Sequence, residues 1–230
     1  MELKNAVVVV TGANRGLGRH LVTQLMERGA KVYGAARRPE MVDVPGVIPL
    51  RLDVTDEASI REATRTASDA TLLINNAGIS TGATLIGGDL AEVRREMETN
   101  FFGPLATTRA FAPVIEGNGG GAVLNVLSVL SWFHPATLGS YAASKAAAWA
   151  LSDATREELA PRRITVSALH VGYMDTDMAA DVPADQKVAA ADVAAQALHG
   201  VEAGLPEILA DETSRYVKQG LSAAPQPTAG

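Results

Sequence analysis

The chain has 230 residues, 47% hydrophobic and 20% charged, which is enough for one sizeable core and fits a single α/β domain. A formal charge of −6 with no basic run disfavours a nucleic-acid or anionic-membrane surface, but not a small anionic ligand held by a few arginines. The absence of cysteine excludes disulfides and thiolate metal sites, and the four histidines lack metal-ligand spacing, so no metal is expected. The apolar run near the N-terminus is too brief for a signal peptide or a membrane helix, and the expected location is cytoplasmic, with no membrane partner.

Residues 6–10 form a continuous apolar, β-branched run, the pattern of a strand buried on both faces of a parallel sheet. The run leads into Thr11-Gly12-Ala13-Asn14-Arg15-Gly16-Leu17-Gly18, and a helix follows to about Arg28, closed by Gly29. Strand, glycine-rich turn and helix is the arrangement in which backbone N–H groups and a helix N-terminus hold a pyrophosphate. Glycine suits such a turn because a Cβ would block it or the ligand's approach. The plainer alternative is a structural turn.

A second strand, 31–36, leads to Arg37-Arg38. A carboxylate there would bond an adenosine 2′-hydroxyl and favour NAD, and none is present. Arg37, with Arg15 from the glycine turn, is expected to pair with a 2′-phosphate, since guanidinium forks suit phosphate oxygens; this favours NADP(H) over NAD(H). The alternative is a pair of solvated arginines. A third strand, 47–52, ends at Asp53-Val54, where Asp53 either bonds an adenine amino group or caps a helix over 56–68. A fourth strand, 71–74, precedes Asn75-Asn76-Ala77-Gly78, small residues that let a cofactor lie close to the backbone; Asn75 alternatively bonds across loops to hold the sheet. Residues 79–88 read as a loop bordering a substrate pocket.

The stretch 90–115 reads as a long helix with Asn100 in its middle, where asparagine is unfavourable and needs compensation. Either it turns to solvent, or it marks a kink near Gly103-Pro104 and holds a functional water. A fifth strand, 122–127, delivers Ser128, and the segment from Trp132 to Pro135 is expected to line the approach to Tyr141. Tyr141 and Lys145 lie four residues apart in an alanine-rich helical run, hence on one face. An ammonium near a phenol favours the phenolate and is expected to lower the tyrosine pKa towards the range useful for acid–base catalysis. A solvated helix face is the bland alternative. A sixth strand, 164–169, a lid over 176–189, a helix over 191–203 and a last strand over 206–210 complete one domain of residues 1–221, with a disordered tail from Ser222.

With these residues in order, the chain resembles the short-chain dehydrogenase/reductase family over about residues 5–211, through TGANRGLG at 11–18, LDV at 52–54, NNAG at 75–78, Asn100, Ser128, Tyr141 and Lys145. The resemblance implies a Rossmann-like, doubly wound domain with a seven-stranded parallel sheet, and hydride transfer from a nicotinamide. It implies Tyr141 as general acid or base, Ser128 as the group that polarises the carbonyl, Lys145 as partner of Tyr141 and of the nicotinamide ribose, and Asn100 as holder of a relay water. For cofactor contacts it implies the turn from Gly12 through Asn14, Arg15, Gly16, Leu17 and Gly18. Beyond the turn it implies Arg37, Asp53, Val54, Asn76, Ala77 and Gly78, and Gly172, Met174 and Thr176 on the nicotinamide side. One departure is Val171, where the family usually has proline, which removes a fixed φ at the start of that loop.

The expected function is an NADP(H)-dependent oxidoreductase that interconverts a carbonyl and a secondary alcohol on a small, fairly apolar substrate, with Trp132, Phe133, Leu138, Tyr173 and the 176–189 lid around it. The alternative is a non-catalytic NADP(H)-binding redox sensor, against which the complete Ser–Tyr–Lys–Asn set argues. Sugar-nucleotide epimerisation or dehydration on the same scaffold usually asks for a larger substrate domain. By the same resemblance, the helices around Asn100 and after Tyr141 imply a homodimer or homotetramer.

Overall fold

The computed structural model describes residues 1–221, so the tail expected from Ser222 lies outside the described residues. Seven strands form one fully parallel sheet: β1 (Val7–Thr11), β2 (Lys31–Ala36), β3 (Ile48–Arg51), β4 (Leu72–Asn75), β5 (Gly121–Val126), β6 (Ile164–His170) and β7 (Glu207–Leu209). Their spatial order is β3-β2-β1-β4-β5-β6-β7. The chain reverses direction across the sheet between β1 and β4, the switch point at which such sheets open a crevice beyond their carboxyl ends.

Alternation along the strands explains why β1 and β4 are apolar throughout. Val8, Val10, Leu72 and Ile74 face one layer, where Leu17, Leu21 and Leu25 of α1 (Gly16–Glu27) meet Val193 and Leu198 of α6 (Ala190–Glu202). Val9 and Leu73 face the other layer, which holds Ile60 of α2 (Glu57–Thr66), Leu159 of α5 (Gly139–Leu159) and Phe111 and Ile115 of α4 (Gly103–Gly117). Both faces are covered, so neither set of side chains meets water. Among the described residues no helix is long and apolar enough to cross a membrane.

Two elements differ from the sequence-based expectation. The expected long helix is α3 (Leu90–Met97) and α4 joined by one π-helical turn, Glu98–Phe102, which contains Asn100. Such turns insert a residue into the helical ladder and redirect the side chains they carry. After β7 comes an unexpected helix, α7 (Glu212–Gly220), capped by Asp211, whose Oδ1 accepts the N–H of Ser214 at 2.7 Å. Its signal is an aspartate before a polar, amphipathic run.

A buried polar chain ties the sheet to the helices beside the crevice. Asn75 Oδ1 accepts the Thr107 hydroxyl at 2.7 Å, and its amide donates to Thr108 at 3.1 Å and to Asn125 Oδ1 at 2.9 Å. Asn125 passes its amide hydrogen to Ser152 at 2.9 Å. Asn75 is a bonding residue, but its partners are not in loops at the sheet's edge: they lie on α4 and on β5, in the interior of the sheet.

Candidate active site

At the end of β1 the chain turns sharply through Gly12, whose φ of +67° suits glycine, and enters α1. Gly18 leaves no room for a side chain: a Cβ there would stand 2.1 Å from the Gly12 carbonyl and 2.6 Å from the Asn76 amide. That amide donates to the carbonyls of Thr11 at 2.8 Å and Gly12 at 3.1 Å, while the Thr11 hydroxyl accepts the N–H groups of Asn76 and Ala77, each at 2.9 Å. Asn76 and Thr11 therefore lock the β4 end onto the glycine turn. The residue preceding α1, Arg15, gives the helix no side-chain cap, so the first-turn N–H groups keep their donor capacity for an anion. Gly16 faces Thr176 across the crevice, where an added Cβ would meet the Thr176 methyl at 3.3 Å.

The arginines expected at the 2′-position stand differently. Arg15 is exposed and pairs with Asp177 at 3.1 Å, at the head of the expected lid. Arg37 is exposed at the end of β2 and makes no hydrogen bond or ion pair among the described residues. Asp53 does not cap α2; Asp56 does, accepting from Ala58 at 2.9 Å. Asp53 turns back on Thr55, accepting its N–H at 3.0 Å and its hydroxyl at 2.7 Å. Val54 is buried against Gly103, where a Cβ would meet it at 2.9 Å.

Ser128, Tyr141, Lys145 and Asn100 converge from three elements. Ser128 follows β5, and its Oγ accepts the Leu130 N–H at 3.1 Å, which leaves the hydroxyl hydrogen to donate elsewhere. Tyr141 and Lys145 project from α5. Lys145 donates to the Val126 carbonyl at 2.9 Å, and its ammonium lies 5.7 Å from the Tyr141 ring centroid. Burial pulls Lys145 down to about 8. The expected lowering of Tyr141 is not what the protein alone gives. Although the residue keeps some exposure, burial pushes its phenol up to about 12; the Ser128 hydroxyl beside it acts in the opposite direction and the Glu96 carboxyl adds to the rise. Desolvation outweighs the Ser128 hydroxyl.

Asn100 is buried, which removes the solvent-facing alternative. Its Oδ1 accepts the Ile79 N–H, and its amide donates to the Ile79 carbonyl and to Ser144 Oγ, all at 2.9 Å. Ser144 in turn donates to the Tyr141 carbonyl at 2.7 Å. Gly78 lies beside this group, where a Cβ would approach Asn100 Oδ1 at 3.2 Å and Lys145 Nζ at 3.6 Å. Ser144 is absent from the residues expected at the site. Its one signal in the sequence is its place between the tyrosine and the lysine on their helix.

Behind Ser128 lies a second group. Trp132 is buried, stacks on His170 at 3.7 Å between centroids, and also lines a groove with Phe133 and α7. The Ser128 carbonyl only accepts, so His170 Nδ1 carries the hydrogen in their 3.3 Å contact. Burial drives the imidazole down to about 4, and it is therefore neutral at ordinary pH. Lys218 of α7 covers both Trp132 and Trp149 and pairs with Glu207 at 2.6 Å. The place of the family's proline is also secured: Val171 is buried, its carbonyl accepts the Val129 N–H at 2.9 Å, and Gly172 donates to Asp211 at 2.6 Å. Hydrogen bonds fix the loop where a ring would have done so. Met174 forms an isolated parallel bridge with Val188. Leu138 packs with Tyr141, whereas Phe133 and Tyr173 are exposed.

Comparison with known proteins places this arrangement. The family model described as short chain dehydrogenase matches residues 6–187. A short chain dehydrogenase from Burkholderia cenocepacia, solved in complex with NADP, superposes with a TM-score of 0.93 at 39% identity, covering 97% of this chain and 95% of that one. An NADPH-dependent 1-acyldihydroxyacetone phosphate reductase of Schizosaccharomyces pombe is 34% identical over 76% of this chain, which spans 62% of that relative's length. A 3-oxoacyl-(acyl-carrier-protein) reductase of Salmonella typhimurium is 30% identical over 94% of both chains. The chain belongs to the short-chain dehydrogenase/reductase family.

Proposed function

We propose that the protein is an NADP(H)-dependent oxidoreductase that interconverts a carbonyl and a secondary alcohol, with Tyr141 as the proton donor and acceptor. The observation that carries this reading is the gathering of Ser128, after β5, with Lys145, whose ammonium lies 5.7 Å from the Tyr141 ring, and Asn100, which is bonded through Ser144 to the same turn of α5. The cofactor fits the crevice: the Gly12–Gly18 turn admits no side chain at its crossing, and the first turn of α1 offers uncapped N–H groups. Gly12, Asn14, Gly16, Leu17 and Gly18 would hold the pyrophosphate, with Val54, Asn76, Ala77 and Gly78 along the adenosine ribose and Asp53 at the adenine. Gly172, Met174 and Thr176 would lie on the nicotinamide side. When bound, NADPH supplies the hydride.

The chain's own groups do the remaining work. Ser128, one of whose lone pairs is occupied by Leu130, donates to the substrate oxygen and fixes the carbonyl. A phenol held near 12 is protonated at neutral pH and ready to donate to the oxygen as charge develops there. Lys145 and Asn100 hold Tyr141 in place from below, one through the ring face and one through Ser144. Preference for NADP(H) follows from Arg37, which is unengaged among the described residues, and from Arg15, whose contact with Asp177 is exposed and weak enough to exchange for a phosphate. The NADP complex of the Burkholderia protein and the NADPH dependence of the Schizosaccharomyces relative support the same preference.

A fairly apolar substrate is supported by a groove of about 500 Å³ lined by Trp132, Phe133, Tyr216, Val217 and Leu221, with Val217 packed in the same apolar cluster as Tyr141. A second groove of about 640 Å³ runs along Ala143 and Ala146, on the face of α5 opposite Tyr141, under the exposed Leu85 and Ile86. That face suits a second copy of the chain, in a homodimer or homotetramer, and light scattering tests it: a monomer contradicts the assignment. NADPH oxidation over a panel of ketones, aldehydes and quinones tests the activity.

A further inference from the structure

Asp211 stands between β7 and α7, buried at 6% exposure, and both of its carboxylate oxygens are in use. Oδ1 accepts the N–H of Ser214 at 2.7 Å and so caps α7. Oδ2 accepts the N–H of Gly172 at 2.6 Å, on the segment that follows β6. The cap alone does not call for an acid, because serine, threonine or asparagine caps a helix as well. The second bond does. Asparagine has one acceptor oxygen and would turn an NH₂ group against the other N–H, and serine has one short hydroxyl, so a carboxylate is what serves both donors. The surroundings are shaped for the contact. A Cβ on Gly172 would stand 3.0 Å from Oδ2. The backbone that carries the carboxylate is fixed at Ala210, whose N–H donates to the His170 carbonyl at 3.0 Å and whose carbonyl accepts the Gln196 amide at 2.9 Å.

The carboxylate thereby joins two parts of the site. On one side lie residues 172–176, which end at Thr176 facing Gly16 of the glycine turn. Their middle is held by Val188, which donates to the Tyr173 carbonyl and accepts the Asp175 N–H, each at 2.9 Å, and Asp211 holds their start. On the other side, α7 brings Tyr216 and Val217 to the wall of the groove beside Trp132 and seats Lys218 over Trp132 and Trp149. We propose, on the reading of the cofactor site and the groove given above, that Asp211 is a positioning residue. Its carboxylate sets the start of the nicotinamide-side segment through Gly172 and the start of α7 through Ser214, and so aligns the nicotinamide with the substrate wall.

The test compares Asp211→Ser and Asp211→Asn with wild type as full-length proteins, with Lys218→Met as the control that loosens α7 at its other end. Affinities for NADPH and NADH are read by cofactor fluorescence, which needs no substrate. The chain's two tryptophans both lie under Lys218, so their emission reports whether α7 stays seated. Both Asp211 variants keep a capping side chain and lose the bond to Gly172. They are expected to keep the wild-type tryptophan emission, to weaken binding of NADPH and NADH alike by about three- to tenfold, and to lower kcat by about tenfold as the nicotinamide loses its alignment. Lys218→Met is expected to shift the tryptophan emission and to leave both cofactor affinities within about twofold. Unchanged cofactor affinities in folded Asp211→Ser protein overturn the proposal, and so does a loss confined to NADPH or a loss equally large in Lys218→Met. Where one Asp211 variant fails to fold or to keep the tryptophan emission, the other decides alone; failure of both assigns Asp211 to the fold only and overturns the proposal. Weakened binding of both cofactors in protein that reduces no carbonyl supports the role of Asp211 and counts against the reductase reading only.

Discussion

The ammonium of Lys145 stands 5.7 Å from the centroid of the Tyr141 ring and gives a hydrogen to the Val126 carbonyl. In the protein alone burial raises the phenol to about 12. Tyr141 is thereby a proton donor at rest. Replacing it with phenylalanine keeps the ring packing and removes the proton. Tyr141→Phe is expected to lower carbonyl reduction by about 10²- to 10⁴-fold while NADPH binding, followed by fluorescence, stays within about twofold. Equal losses of rate and cofactor affinity would contradict the assignment.

The glycine turn makes a prediction with its own control. Gly18→Ala drives a methyl into the Gly12 carbonyl and the Asn76 amide. It is expected to cost about 1–3 kcal/mol by thermal unfolding and to weaken NADPH binding at the same time. At Gly117, near the end of α4, an added methyl would meet nothing within 4 Å. Gly117→Ala is expected to stabilise by up to about 1 kcal/mol and leave cofactor binding alone. Wild-type behaviour of Gly18→Ala would mean that the turn does not hold the cofactor.

The proposed preference for NADP(H) rests on two exposed guanidinium groups. Arg15→Ala and Arg37→Ala are each expected to raise the KM for NADPH by about tenfold, the loss of one charge-assisted phosphate contact, with little change for NADH. An equal rise for both cofactors would place these arginines away from the 2′-phosphate.

His170 links the site to acid stability. Its imidazole falls from an ordinary 6.5 to about 4 in the folded protein, so between those values the unfolded chain binds the proton more readily. Its contribution is complete above about pH 6.5 and is lost as pH falls towards 4, on the order of 3 kcal/mol in all. Thermal midpoints measured across that interval should fall with acid in wild type and show a shallower fall in His170→Asn, which retains a donor for the Ser128 carbonyl. A slope as steep in the variant would assign the effect to other groups.

Much of this site is legible from the chain because its parts are local. The glycine turn, the Asn-Asn-Ala-Gly run and the Tyr–Lys spacing each state their geometry within a few residues, and the apolar runs state the sheet. What is not legible depends on contacts far apart in sequence. The burial that raises Tyr141, the lodging of Trp132 against His170, and the bond from Asp211 that replaces a proline at 171 all arise from the folding of β6, β7 and α7 around Ser128. The capping of α2 by Asp56 rather than Asp53 is a shift of three residues, decided by which side chain reaches the first free N–H. Asn100 announces a break in its helix, but a buried π-helical turn is chosen by its partners Ile79 and Ser144.

NADPH oxidation with a carbonyl panel, run beside NADH and beside Tyr141→Phe, decides whether Tyr141 serves carbonyl reduction. Turnover of at least one apolar ketone, aldehyde or quinone, a preference for NADPH, and loss of that turnover in the variant are expected. Tight NADPH binding with no turnover on any carbonyl, or turnover that survives Tyr141→Phe, would contradict that role.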